Sequence, residues 1–215
     1  MAVELMKLRL DKYLADMGIG TRTEVKKAIT KGQVRVNEET VKRPEIKIDT
    51  ENDHVFYQGQ MVAYAEYEYY MLNKPAGVVS ATEDKNDSTV LDLIDEKQRK
   101  DLFPVGRLDK DTEGLLLITN DGELAHQLLS PRKHVDKVYF ARIDGKVTEE
   151  DVRRFAEGLE IGEEKPILPA HLEILKSEEI SEIRLTIREG KFHQVKRMFH
   201  AVGKEVIYLK RLQMG

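Results

Sequence analysis

The chain has 215 residues, 40% hydrophobic and 34% charged, with no cysteine and a formal net charge of −4. That length buries a core without crosslinks, and the missing thiols exclude a disulfide framework, a thiolate zinc site and a cysteine nucleophile. The charge is uneven: residues 1–50 carry 11 basic against 8 acidic side chains, residues 181–215 carry 8 against 3, and the middle holds the acid excess, so polyanion contact is open to both ends.

The N-terminal stretch MAVELMKLRLDKYLADMG has no apolar signal core, and no stretch approaches a membrane span, so a cytoplasmic protein with no membrane partner is expected. Leu10, Tyr13, Leu14 and Met17 form the i, i+3, i+4, i+7 stripe of a short helix stopped by Gly18. In TRTEVKKAITKG, Thr21 and Glu24 make a capping box ahead of a second helix that turns Val25, Ala28 and Ile29 inward and stops at Gly32. QVRVNEETVKRP reads as two short strands about a turn, and residues 49–66 as a connection with some strand character. A domain boundary near residue 60 is expected, giving a small helix-rich module over 1–60 and a larger one over 61–215.

From Tyr67 the pattern changes. YYMLNKPAGVVSA is a strand broken by Pro75 and Gly77, STVLDLI a short capped helix, LLLIT a buried strand, and GELAHQLLS a helix. KVYFARIDGKV is a strand, TEEDVRRFAEGL a helix boxed by Thr148 and Asp151, and HLEILKSEEISEIRLTI a hairpin. HQVKRMFHAVG is a helix and EVIYLKRL a last strand. Strands and helices mix without a regular βαβ rhythm, which predicts an α+β fold with a largely antiparallel sheet.

The chemistry concentrates in GRLDKDTEGLLLITNDGE, residues 106–123. Asp109, Asp111, Glu113 and Gly114 fill the first positions of a calcium loop, but position 12 is Asn120, and Pro104 and Gly106 stand where the entering helix belongs. His193 and His200 are seven apart on a helix without partner ligands at a metal-site spacing, so no metal is expected and both read as surface or RNA-contacting histidines. There is no phosphate loop, dinucleotide fingerprint or serine-hydrolase elbow. What remains is Asp109, two residues after Arg107. A nearby cation keeps an aspartate ionised, as a carboxylate nucleophile or electrostatic stabiliser requires; the other reading makes Asp109 and Asp111 turn residues bonding their own backbone.

GRLDKDTEGLLLITNDGELAHQLLSPRKHVDKVYFARIDG resembles the signature region of the RNA pseudouridine synthases of the RsuA/Rlu type. NKPAGVVSA resembles their first motif, and IREGKFHQVKRMFHAVGKEVIYLKRL their C-terminal one. RLDKYLADMGIGTRTEVKKAITKGQVRVNEETV resembles the RNA-binding module first described in ribosomal protein S-four. The resemblance implies isomerisation of uridine in RNA to pseudouridine, with no cofactor. It makes Asp109 the essential carboxylate, either attacking the sugar or base or acting as a base on the sugar. It implies that Tyr139 packs on the target base and that Lys191 is the cation near Asp109, with Arg188 as fallback. It leaves Leu185 beneath the base and Arg107 on the loop or RNA backbone. Phosphate contacts are expected from Lys196, Arg197, Lys210 and Arg211 in the basic tail, and from Arg22, Lys26, Lys27 and Arg35 in front. FHQVKRMFHAVG and SPRKHVDKVYF are most similar to the RsuA branch, which implies 16S ribosomal RNA as partner, naked or in a small-subunit assembly intermediate, and a monomeric enzyme. Action on 23S RNA and a non-catalytic RNA-binding protein stand as alternatives.

Overall fold

The structure is a computed structural model and describes residues 7–130 and 133–215. The chain divides into two compact units: residues 1–68 with 95–102, and residues 69–94 with 103–215.

The first unit opens with β1 (Lys7–Arg9), α1 (Leu10–Asp16) and α2 (Arg22–Thr30). The α2 start carries the expected box: Thr21 Oγ1 accepts from the Glu24 amide, and the Glu24 carboxylate accepts from the Thr21 amide at 2.8 Å. β2 (Val34–Val36), β3 (Glu39–Val41), β5 (Val55–Tyr57) and β6 (Gln60–Val62) form an antiparallel sheet in the order β3-β2-β5-β6, while β4 (Lys47–Asp49) pairs with β1. Residues 49–66 are thus largely a hairpin of this sheet rather than a connection. The turn runs through Gln58 and Gly59, both at positive φ, and twists the two strands into register. Leu10, Tyr13, Leu14, Val25, Ile29, Val34, Ile48 and Val55 fill the core between helices and sheet. Each contributes about 1.5–3 kcal/mol of apolar burial.

Segment 95–102 returns to this unit through Arg99. Its side chain is buried, donating to Asp101 at 2.6 and 2.8 Å and to the Ala65 carbonyl at 3.0 Å.

The second unit contains β7 (Tyr69–Lys74), a 3₁₀ turn at Val90–Leu93, β8 (Phe103–Pro104), β9 (Glu113–Thr119), α3 (Gly122–Leu129) and β10 (Lys137–Asp144). It continues with α4 (Glu149–Glu157), β11 (His171–Lys176), β12 (Ile180–Ile187), α5 (Gln194–Ala201) and β13 (Glu205–Met214). One seven-stranded sheet runs β11-β12-β10-β13-β9-β7, with β8 added to β9. Its pairings are antiparallel except β13 with β9, so the α+β, mainly antiparallel expectation holds. Inward residues of the strands, among them Ala141, Ile143, Ile183 and Leu116, are fully buried. Phe155 of α4 and Phe199 of α5 meet at 5.0 Å between ring centroids.

The parallel junction sets the site. Gly114 lies opposite Arg211 at φ +104°, and a Cβ there would sit 2.7 Å from the Arg211 amide nitrogen. Only glycine brings β9 this close to β13. Among the described residues no helix is long and apolar enough to cross a membrane.

Candidate active site

Asp109 sits on the loop between β8 and β9, and the segment after β7 holds that loop in place. Ser80 Oγ donates to the Leu108 carbonyl at 2.9 Å and accepts from the Leu108 amide at 3.1 Å. The Gly77 amide donates to the Lys110 carbonyl at 2.7 Å, and the Thr112 amide to the Asp109 carbonyl at 3.0 Å. Lys74 completes the arrangement. Its side chain is fully buried, and Nζ donates to the carbonyls of Pro75, Asp109, Lys110 and Thr112 at 2.8–3.2 Å. Burial lowers the Lys74 pKa below its ordinary value, against the attraction of Asp111, Asp109 and Glu113.

The Asp109 side chain is 24% exposed, with Oδ2 3.4 Å from Lys196 Nζ and Oδ1 3.6 Å from His193 Nε2. Lys196 also reaches both Asp111 oxygens, at 2.7 and 2.8 Å. Burial opposes the charge on Lys196, but the two aspartates outweigh it and hold the ammonium above its ordinary pKa. Tyr139 of β10 is 7% exposed; burial raises its hydroxyl pKa, Arg211 opposes the rise and Asp109 adds to it. A small cavity of about 70 Å³ lies among Asp109, Thr112, Tyr139, His193 and Lys196. It shares Arg107, Asp109, Lys191 and His193 with an open groove of about 600 Å³ that continues along Ser80, Lys110 and Phe192. A carboxylate flanked by an ammonium group and an imidazole, with a buried aromatic at its side, can stabilise charge that develops on a flat ligand.

Asp109, Tyr139 and Lys191 therefore converge on one cavity, with Arg107 exposed at its rim. The lysine within ion-pair distance of Asp109 is Lys196, expected on phosphate; Lys191 lines the cavity and, among the described residues, is in no ion pair. The reason is helical placement. Lys196 stands two residues into α5, while the Lys191 amide donates to Gln194 Oε1 and fixes the preceding turn. Leu185 is fully buried on β12, opposite Tyr139 in register. Arg188 pairs with Asp136 at 2.8 Å. Arg197 is held by the Glu163 carboxylate and by the Phe192 and Ile161 carbonyls.

Arg211 corrects an expectation. It is not a surface phosphate contact: it is 3% exposed, donating through Nε to the Leu115 carbonyl at 2.7 Å. Alternation along β13 turns it inward with Leu209, whereas Lys210 falls on the opposite face. Among the described residues Arg211 Nη2 and Thr112 Oγ1 are buried without a hydrogen-bond partner. In the first unit, Arg22 and Lys26 lie 3.4 and 3.8 Å from the buried Asp11, Arg35 stacks over Phe56 at 4.9 Å, and Lys27 is exposed.

Sequence reading missed Lys74 and Ser80 as parts of the site, and it took His193 for a surface or RNA-contacting residue rather than a neighbour of Asp109. For Lys74 a signal existed: period-two alternation puts it on the same side of β7 as Tyr70 and Leu72.

Residues 68–201 match the RNA pseudouridylate synthase family, and residues 8–55 match the S4 domain. The chain is 48% identical over 210 residues to the RNA pseudouridine synthase YtzG of Bacillus subtilis, covering 97% of this chain and 88% of that one. It is 40% identical to the ribosomal small subunit pseudouridine synthase A of Escherichia coli (97% and 89% covered). It is 39% identical to the ribosomal large subunit pseudouridine synthase B of Bacillus subtilis (94% and 84%). A crystal structure of a pseudouridylate synthase superposes with a TM-score of 0.65 at 38% identity, covering 97% and 89% of the two chains. The chain belongs to the RNA pseudouridine synthase family, with an S4 domain ahead of the synthase domain.

Proposed function

We propose that this enzyme isomerises one uridine of 16S ribosomal RNA to pseudouridine, with Asp109 as the essential group and no cofactor. The first unit serves as RNA-binding module and the second as catalytic domain, acting as a monomer in the cytoplasm on naked RNA or on a small-subunit assembly intermediate. The observation that carries this reading is the convergence of Asp109, Tyr139, Lys196 and His193 on one small cavity beside a groove lined by Arg107, Lys110 and Lys191 together with Asp84. In the reaction the bond from base N1 to sugar C1′ breaks and one from C5 to C1′ forms; C5 loses its hydrogen to solvent and N1 takes up a proton. The Asp109 carboxylate acts on the sugar or the base. Tyr139 packs against the uracil while it turns. Lys191 and Lys196 oppose negative charge that develops on the base.

The target uridine must first leave its stack, at a cost of about a few kcal/mol. Phosphate contacts from Arg107 and from Arg22, Lys26, Lys27 and Arg35 offset this without reading sequence. Relatives named for the small and the large subunit match almost equally well; the RsuA-like motifs FHQVKRMFHAVG and SPRKHVDKVYF support the 16S choice. The test is tritium release from transcripts labelled at uridine C5, followed by mapping of the modified nucleotide. Release from 16S but not 23S RNA, abolished in Asp109→Ala, is expected. Conversion of 23S RNA alone would reassign the substrate, and binding without release would make the protein a non-catalytic RNA binder.

A further inference from the structure

We propose that the Phe192 ring is a stacking platform for the base next to the target uridine, a subsite for one unpaired nucleobase of the RNA. The idea rests on the RNA-modifying function proposed above, but not on which ribosomal RNA is used. Phe192 is 74% exposed, and of the large apolar side chains described only Met71 is more so. Such a ring forgoes about 2 kcal/mol of burial and adds nothing to the core.

It is nevertheless held. One face lies parallel to the His193 imidazole, centroids 3.8 Å apart and planes within 18°. The Phe192 carbonyl accepts from Arg197 Nη1 at 3.1 Å, and that guanidinium is itself anchored on Glu163 at 2.7 Å. On the flanks, Gln194 accepts from the Lys191 amide at 2.8 Å and donates to Glu189 at 3.0 Å. His193 adopts φ +48°, a left-handed conformation that costs a non-glycine residue about 1 kcal/mol or more.

The second face of the phenyl ring is left to solvent. The platform is contiguous with the chemistry, because His193 Nε2 is 3.6 Å from the Asp109 carboxylate. Arg107 and Lys191 line the groove that Phe192 borders, and among the described residues neither is in an ion pair. An aromatic face beside unpaired cations suits a nucleotide, base on the ring and phosphate on the cations. Stacking tolerates every base, so the subsite adds affinity rather than sequence choice.

The test uses a stem–loop around the mapped uridine and the full-length enzyme. Phe192→Ala should raise KM about tenfold with a much smaller change in kcat, and Phe192→Tyr should restore it. An abasic nucleotide on one side of the uridine should raise the wild-type KM equally, and Phe192→Ala should then add nothing. If the abasic and Phe192→Ala effects multiply on both sides of the uridine, or if KM does not move in Phe192→Ala, the platform is refuted. If the wild type converts no ribosomal RNA, the function above fails. The platform is then decided by 2-aminopurine fluorescence in a short oligouridylate: quenching by wild type and not by Phe192→Ala supports it, equal signals overturn it.

Discussion

Replacing Lys74 by Met removes an ammonium group and keeps most of the side-chain volume, so the loss is one of hydrogen bonds rather than packing. The carbonyls of Pro75 and Thr112 lose this donor, while those of Asp109 and Lys110 keep the Thr112 and Gly77 amides. Each stranded acceptor costs about 1–3 kcal/mol, while the variant is relieved of several kcal/mol spent desolvating the charge. The net destabilisation expected is about 1–3 kcal/mol, two stranded carbonyls less the desolvation relieved. At about 2–4 °C per kcal/mol for a protein of this size, the melting temperature should fall by about 2–12 °C. The effect on catalysis is separate. Nζ holds the Asp109 carbonyl itself, and a displacement of about 1 Å at a reacting group costs about a hundredfold in rate. Calorimetry and tritium release at a temperature where the variant is still folded measure the two losses independently. A variant that melts like wild type and retains its kcat would refute the role assigned to this lysine.

Gly114→Ala places a methyl group in the Arg211 backbone at a φ of +104°; a loss of about 3–5 kcal/mol in urea unfolding is expected, and an unchanged midpoint would disprove the close approach of β9 to β13. Asp11 is fully buried, and burial raises its pKa, but hydrogen bonds from Arg9 and Arg22 outweigh this and hold it below the ordinary carboxylate value. Its folded pKa is depressed, so its stabilisation is present above the unfolded value of about 4 and is lost as pH falls through the folded one. Asp11→Asn should therefore melt lower than wild type at pH 7, with the gap closing on acidification; a gap independent of pH would contradict the ion-pair account. Lys26 faces Asp11 at 3.8 Å, so neutralisation is a cleaner probe there than charge reversal. Lys26→Gln with Lys27→Gln should weaken RNA binding and reduce its salt slope by about 1–2; an unchanged slope measured by filter binding rules out this helix as an RNA arm.

Local order was legible where the cause is local. The Thr21/Glu24 and Thr148/Asp151 boxes are spelled out within four residues, and the structure forms both, while the short capped helix expected over STVLDLI is a single 3₁₀ turn. The β11–β12 hairpin follows from the alternation of Ile183, Leu185 and Ile187. Asp109 and Tyr139 were singled out through their motifs, and the structure brings both to one cavity.

Chain-distant pairings left no such trace. The β5–β6 hairpin joins the first sheet through β2, about twenty residues earlier, and Arg99 reaches the Ala65 carbonyl from a segment that belongs to neither flanking strand. The parallel contact of β13 with β9 joins residues nearly a hundred apart. Burial of charge is the extreme case. Lys74, Arg211 and Lys196 look alike in composition, yet the first holds four carbonyls, the second bridges two strands from inside the sheet, and the third faces Asp109. Periodicity and capping act through neighbours within one turn or one pleat, so the order of residues dictates them. Which cation is enclosed depends on what the rest of the chain places opposite it, and that is settled only when the sheet closes.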